Sequence, residues 1–154
     1  MGLPRFKKPS ENRSRNMRAI RSFGNKTTES RLVSLLKGHR LRGWRLHPPH
    51  ILGRPDLLIR KRRVAVFVDG CFWHGCPKCG HIPKTNRAYW KAKIARNLSR
   101  DASISRRLRA LGFRIVRLRE CDLRERPAQC LRRIRRALLV REPGRTESLP
   151  GKHN

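Results

Sequence analysis

Acidic residues are scarce in this chain of 154 residues: ten Asp and Glu face 40 Lys and Arg, a formal net charge of +30. A compact domain repels itself at that charge unless a polyanion screens it, and each phosphate neutralised releases condensed counterions, so nucleic acid is the natural partner. Long apolar runs are missing too. None approaches the ~18 residues of a membrane span, and no basic helix carries the broad apolar face that lies on a bilayer. Residues 1–15 are basic but have no apolar stretch after them, so a secretory signal is not expected and a cytoplasmic, nucleoid-associated protein is. Cysteine is sparse and odd in number: of Cys71, Cys76, Cys79, Cys121 and Cys130, three cluster tightly. In a reducing compartment such a cluster serves a metal rather than disulfides.

Against this background each acidic residue outside the tails carries information. A phosphate binder gains nothing from carboxylates on its binding side unless they hold a metal or move a proton. With Glu11, Glu142 and Glu147 in the tails, that leaves Glu29, Asp56, Asp69, Asp101, Glu120, Asp122 and Glu125, each expected to have a role.

The chain has no visible repeat or interdomain linker. Residues 1–15 predict a mobile basic arm, residues 16–140 one domain, and residues 141–154, with two Pro and two Gly, a disordered tail. Within the domain, residues 16–21 predict a short helix. Thr27 or Thr28 caps a helix bearing Leu32, Val33, Leu35 and Leu36 that stops near Gly38. Short strands are expected at residues 44–46, 56–59 and 64–68, the last apolar throughout as in a strand buried on both faces. A long helix follows over residues 86–111, with Trp90, Ile94, Leu98, Ile104, Leu108 and Leu111 at helical spacing, ending at Gly112. A strand at residues 113–118 and a helix at residues 128–139 close the domain. The expected fold is α/β, a small mixed sheet flanked by helices.

Two constellations carry chemistry. Gly53-Arg54-Pro55-Asp56 opens one strand, and Val68-Asp69-Gly70 ends its hairpin partner, so two carboxylates converge where a hard cation such as magnesium binds through oxygen. Alone, an Asp after Pro reads as a turn residue; Asp69 and Glu29 in so basic a chain favour the metal. Second, Cys76-x-x-Cys79 is half of a zinc site, Cys71 offers a third thiolate, and the fourth ligand is Cys121 or His81. Phe72 and Trp73 sit between the thiols. Either they wedge into a base stack, or one of them packs under the knuckle. His74 follows directly and can take or give a proton beside the metal. Cys130, in the last helix, reads as an inert core thiol.

The order of Asn16-Met17-Arg18-Ala19-Ile20, Glu29-Ser30-Arg31-Leu32, Gly53-Arg54-Pro55-Asp56, Asp69-Gly70-Cys71-Phe72-Trp73-His74, Pro83-Lys84-Thr85-Asn86, Tyr89-Trp90, Asn97, Arg100-Asp101 and Glu120-Cys121 resembles the very short patch repair endonucleases, from about Ser14 to Leu139. The resemblance implies a restriction-endonuclease-like fold. It also implies a magnesium-dependent nick in double-stranded DNA, 5′ of the T in a T·G mismatch left by deamination of 5-methylcytosine. By the same resemblance Asp56 and the Val68 carbonyl bind Mg2+, and His74 is the general base with Asp101 assisting it. Glu29 supports the site, Phe72, Trp73 and Met17 insert beside the mismatch with Trp90 behind them, and Cys71, Cys76, Cys79 and Cys121 bind structural Zn2+. A monomer is expected, with mismatch-repair proteins and a cytosine methylase as its functional neighbours. Three features depart from related patterns. No lysine follows Asp69 at the acid-x-Lys position of restriction-like nucleases. Asp69 stands where some relatives carry His. The zinc set is all cysteine. The rival readings are a restriction-type nuclease cutting both strands of matched DNA and a non-catalytic zinc-knuckle binder of nucleic acid.

Overall fold

A computed structural model describes residues 2–5 and 28–140. Met17, the helix expected at residues 16–21 and the tail from residue 141 lie outside the described residues. Among those described, the chain runs α1 (Glu29–Gly38), β1 (Arg45–Leu46), β2 (Leu57–Ile59), a 3-10 turn (Arg60–Arg62) and β3 (Val64–Asp69). It continues with α2 (Arg87–Ala110), β4 (Arg114–Arg119), α3 (Glu120–Glu125) and α4 (Pro127–Leu139). No helix among them is long and apolar enough to cross a membrane.

The four strands form one mixed sheet in the order β1-β2-β3-β4. β1 pairs antiparallel with β2 across the loop of residues 47–56, and β2 with β3 across the 3-10 turn, with Leu57 opposite Val66 and Leu58 opposite Ala65. β4 pairs parallel to β3, with Val66 opposite Val116 and Asp69 opposite Arg119. A parallel neighbour needs a crossover, and α2 supplies it. The pleat then sends alternate residues of β3 to opposite faces. Val64 and Val66 join Leu32 and Leu36 of α1, Leu118 of β4 and Ile134 of α4 on one face; Ala65 and Phe67 join Leu58 and Leu108 on the face covered by α2. Both faces of β3 are thus covered, which is why its sequence does not alternate.

One expectation fails along α2. Leu98 and Leu111 are exposed, at 48% and 57%. The buried stripe runs Trp90, Ile94, Asp101, Ser105, Leu108, with half-buried Asn97 on the same face. The slots at which a helix of 3.6 residues per turn meets the sheet are here occupied by polar side chains. Leu98, which looks like the next apolar position in the sequence, instead lines a cleft at the edge of the site described below. The helix α3 was not expected from the sequence. It places Cys121, buried, two residues past the end of β4.

Gly53 has a steric reason in this packing. Its φ is +74°, and a Cβ there would lie 2.4 Å from Cγ2 of Ile104 on α2. The turn that delivers Pro55 and Asp56 to β2 can therefore press against α2 only with glycine at this position.

Candidate active site and thiolate cluster

At the C-terminal end of β3 the chain brings three elements together. β3 ends in Asp69, the loop after it carries His74, and the inner face of α2 contributes Asp101, which is only 8% exposed. His74 Nδ1 lies 2.7 Å from Asp101 Oδ2 and 3.7 Å from Asp69 Oδ1. The contact brings the acid and the imidazole together without an aligned hydrogen bond between the two atoms. The ligating atoms of Asp69, His74 and Asp101 all lie within 4.8 Å of one another.

Arg117 of β4 completes this group and was missed in the sequence. Its Nη2 and Nε donate to Asp69 Oδ1 and Oδ2 at 2.5 and 2.9 Å, and Nη2 also lies 3.2 Å from Asp101 Oδ2. Nη1 donates to Ser105 Oγ at 3.4 Å, and the guanidinium stands 4.9 Å over the Phe67 ring. Burial alone would lower the guanidinium pKa, but the carboxylates of Asp69, Asp101 and Asp56 override it and the pKa is raised. The only signal in the sequence was an arginine at a position of β4 that the strand's alternation points toward α2, between Ile115 and Arg119.

Asp56 lies at the same end of the sheet but outside the three-residue group. Its Oδ2 accepts a 2.6 Å hydrogen bond from the Val68 N–H. Burial pushes its carboxyl pKa up, opposed by that hydrogen bond and by nearby His47; the charge of Asp69 adds to the rise. Glu29 is drawn in from α1 through His47, whose Nε2 lies 3.0 Å from Glu29 Oε1 and whose backbone N–H donates to the Asp56 carbonyl at 3.2 Å. His47 was not anticipated, since it belongs to no motif; its φ of +42° is the one local mark of its special position. A half-buried carboxylate destabilised by desolvation, beside further acidic groups, is a donor set suited to a hard divalent cation.

The second group forms on the loop after β3. Cys71, Cys76, Cys79 and Cys121 bring four sulfurs within 4.8 Å of one another, and His81 is not among them. Cys76 Sγ lies 3.7 Å from Cys121 Sγ and 3.7 Å from Cys79 Sγ. That is far beyond a disulfide, yet it is about the ~3.8 Å edge of a tetrahedron with Zn–S bonds of ~2.3 Å. The chemistry of the thiols also fits a cation. Burial, then the neighbouring Cys79, push Cys71 up to about 11, whereas the backbone N–H groups of Cys79 and Lys78 outweigh burial at Cys76 and bring it down to about 6. The knuckle is closed by backbone bonds, Cys76 N–H to Cys71 O at 2.9 Å and Gly80 N–H to Cys76 O at 2.8 Å. A Cβ on Gly80 would strike the Cys76 backbone at 2.6 Å. Lys78 pairs with Asp122 at 2.6 Å, tying the loop to α3. Cys130 is a buried free thiol away from this group.

Between the two groups stand the aromatics. Phe72 and Trp73 are half-buried, in edge contact at 5.0 Å, and both lean on buried Trp90 of α2 at 5.2 and 6.0 Å between centroids. Asn97 Nδ2 donates to the Trp73 carbonyl at 3.0 Å, so α2 holds the aromatic loop and the acid that contacts His74.

An acid–imidazole pair at the end of a mixed sheet, in a chain of net charge +30, suits the class of enzymes that hydrolyse phosphodiesters. Residues 7–79 match the family model described as DNA mismatch endonuclease Vsr. The DNA mismatch endonuclease Vsr of Escherichia coli K12 is 40% identical over 116 residues, 74% of this chain and 72% of that protein. The type II nicking enzyme V.NaeI of Lentzea aerocolonigenes is 39% identical over 115 residues (70% and 67%), and V.NmeDIP of Neisseria meningitidis serogroup C is 36% identical over 131 (83% and 86%). The chain belongs to the Vsr family of DNA endonucleases. DNA is therefore its substrate, and a nuclease of this family implies a divalent cation.

Proposed function

We propose that this protein nicks double-stranded DNA 5′ of the T in a T·G mismatch and so initiates very short patch repair, with Mg2+ at the site of cleavage and Zn2+ as a structural ion. Residues 16–140 act as one restriction-endonuclease-like unit, and the arm of residues 1–15 folds onto the DNA. The observation that carries this reading is the 2.7 Å contact between His74 Nδ1 and Asp101, at the same end of the sheet as the desolvated carboxylate of Asp56.

Each residue then has a task. Asp101 holds the His74 ring and its Nδ1 proton, so Nε2 is free to take a proton from the attacking water. Asp56 and the Val68 carbonyl are the cation's ligands; the Val68 N–H, bonded to Oδ2, fixes the carboxylate's orientation from the same peptide segment. Bound there, Mg2+ would polarise the scissile phosphate and stabilise the leaving oxygen. Glu29, through His47, supports the backbone at Asp56. Phe72 and Trp73, with Met17, insert beside the mismatched pair, where unstacking costs least because pairing is already weak. The four thiolates keep the aromatic loop and His74 in fixed relation to β3 and α3.

The reading is tested by incubating the protein with Mg2+ and end-labelled duplexes that carry T·G or fully paired sequence, and mapping the breaks. One nick, 5′ of the mismatched T and only in that strand, is expected. Breaks in both strands of paired DNA would favour a restriction-type enzyme.

A further inference from the structure

We infer that the end of the domain remote from the cleavage centre binds a second DNA duplex, so that one chain bridges two DNA segments. The inference goes beyond the proposed nicking reaction, and rests on it only in seating the first duplex at the end that carries Asp69, His74 and Asp101.

Charge is divided between the two ends of the sheet. β3 runs from Val64 to Asp69, a span of about 17 Å at ~3.3 Å per residue. All seven acidic residues described lie toward the Asp69 end. Glu29 and Asp56 meet there through His47, Asp69 and Asp101 through Arg117, and the other three lie in α3, which follows the matching end of β4. At the Val64 end four segments come together. The turn Arg60–Arg62 precedes β3, and β4 starts beside it, with the Arg114 N–H donating to the Arg63 carbonyl at 2.8 Å. Arg63 ties on the end of α2, its Nη2 donating to the Leu111 carbonyl at 2.6 Å, and Arg114 ties on the end of α4 by donating to the Val140 carbonyl.

Helix C-termini favour cations, but Arg63 and Arg114 already serve those carbonyls. Arg60, Lys61 and Arg62 remain exposed beside them, with Arg107 and Arg109 in the last turn of α2 and Arg136 in that of α4. None of these makes an ion pair among the described residues. The sequence beyond Val140 does not neutralise this basic cap, since Arg141, Arg145 and Lys152 outnumber Glu142 and Glu147. Like charges so gathered repel unless a polyanion lies across them, and duplex DNA, the family's substrate, is the polyanion at hand. It must be a different duplex. DNA is stiff over ~150 bp, so one seated at the Asp69 end cannot turn back to the opposite end of the same domain. Leu111, Leu139 and Val140 are exposed here too, but they are too few for the broad apolar face that seats a helix in a bilayer.

The test uses the full, zinc-loaded protein without Mg2+, so that no strand is cut. A short T·G duplex tethered to beads is saturated with protein and then offered a fluorescent, fully paired duplex. Wild type is expected to retain the labelled duplex. Arg60→Gln/Lys61→Gln/Arg62→Gln, once circular dichroism shows it folded, is expected to retain it about tenfold less well, with a flatter salt dependence of capture. Its binding of the tethered duplex, and nicking once Mg2+ is added, should stay within about twofold of wild type, because no phosphate contact at the Asp69 end is lost. If the triple variant does not fold, Arg107→Gln/Arg136→Gln is read the same way. No capture by wild type, or capture that survives in the folded variants through a second copy of the chain or another face, overturns the inference. A variant that loses the tethered duplex itself also overturns it, because the cap would then lie on the first DNA. So would RNA, or vesicles rich in phosphatidylglycerol, held by wild type in preference to the labelled duplex and released by the variant. If wild type does not bind the tethered duplex at all, the seating of DNA at the Asp69 end fails instead, while direct binding of the labelled duplex by wild type and variant still judges the cap.

Discussion

His74 and Asp101, 27 residues apart, meet at 2.7 Å because the loop after β3 and the inner face of α2 converge at one end of the sheet. On the proposed reading the carboxylate would do for the imidazole what an orienting acid does in other acid–base pairs, selecting the tautomer and steadying the ring. Asp101→Asn keeps the shape and can donate to Nδ1, presenting the wrong tautomer. We expect kcat for nicking to fall about 10²–10⁴-fold with KM little changed. Single-turnover nicking of a T·G duplex measures it, and a variant within about threefold of wild type would remove Asp101 from the proton-handling role.

Asp56 is a stability liability in the service of function. Burial raises its pKa, so the ionised form costs stability above that raised value, and the cost disappears as pH falls through it. At neutral pH without added Mg2+, Asp56→Asn should therefore melt higher than wild type. Added Mg2+ should raise the melting temperature of wild type and leave the variant unmoved. Equal stabilisation of both by Mg2+ would place the ion elsewhere.

The thiolates predict a separable metal dependence. Cys76 is the most buried of the knuckle cysteines apart from Cys121, and its sulfur is near both Cys79 and Cys121. Cys76→Ser, or a zinc-selective chelator, should release about one Zn2+ per chain and shift the emission of Trp73 and Trp90, because the knuckle's ordering is metal-binding energy. Nicking should fall with it, and excess Mg2+ should not restore it. Retention of a full Zn2+ equivalent by Cys76→Ser would exclude the four-thiolate site.

Phe72 and Trp73 lean on Trp90 in the free protein, so insertion into DNA means exchanging that contact for a base step. Trp73→Ala should lose part of the few kcal/mol that insertion contributes at a weak pair. The predicted effect is a reduced preference for T·G over paired DNA, with the salt dependence of binding unchanged, since the phosphate contacts remain. Competition binding at two salt concentrations reads both quantities.

Most of the architecture could be read from the sequence because it rests on local patterns: the unbroken apolar run of β3, the Gly112 stop after α2, the helical spacing of Leu131, Ile134 and Leu138. The thiolates were legible for the same reason, three of the four lying within nine residues. What escaped depends on the third dimension. Arg117 and His47 belong to no motif and acquire roles only through partners 48 and 18 residues away, Asp69 and Glu29. Leu98 misled because an apolar side chain at helical spacing looks like core, whereas the inner stripe of α2 there belongs to Asn97 and Asp101. Helix α3 is a six-residue turn of structure, too short to leave a period.

The account stands most directly on Asp56. Asp56→Ala should bind a T·G duplex at least as tightly as wild type, since a repelling carboxylate is gone, and should produce no Mg2+-dependent nick 5′ of the mismatched T. A variant that still cuts there at the wild-type rate would contradict the placing of the cation, and with it the proposed chemistry of the site.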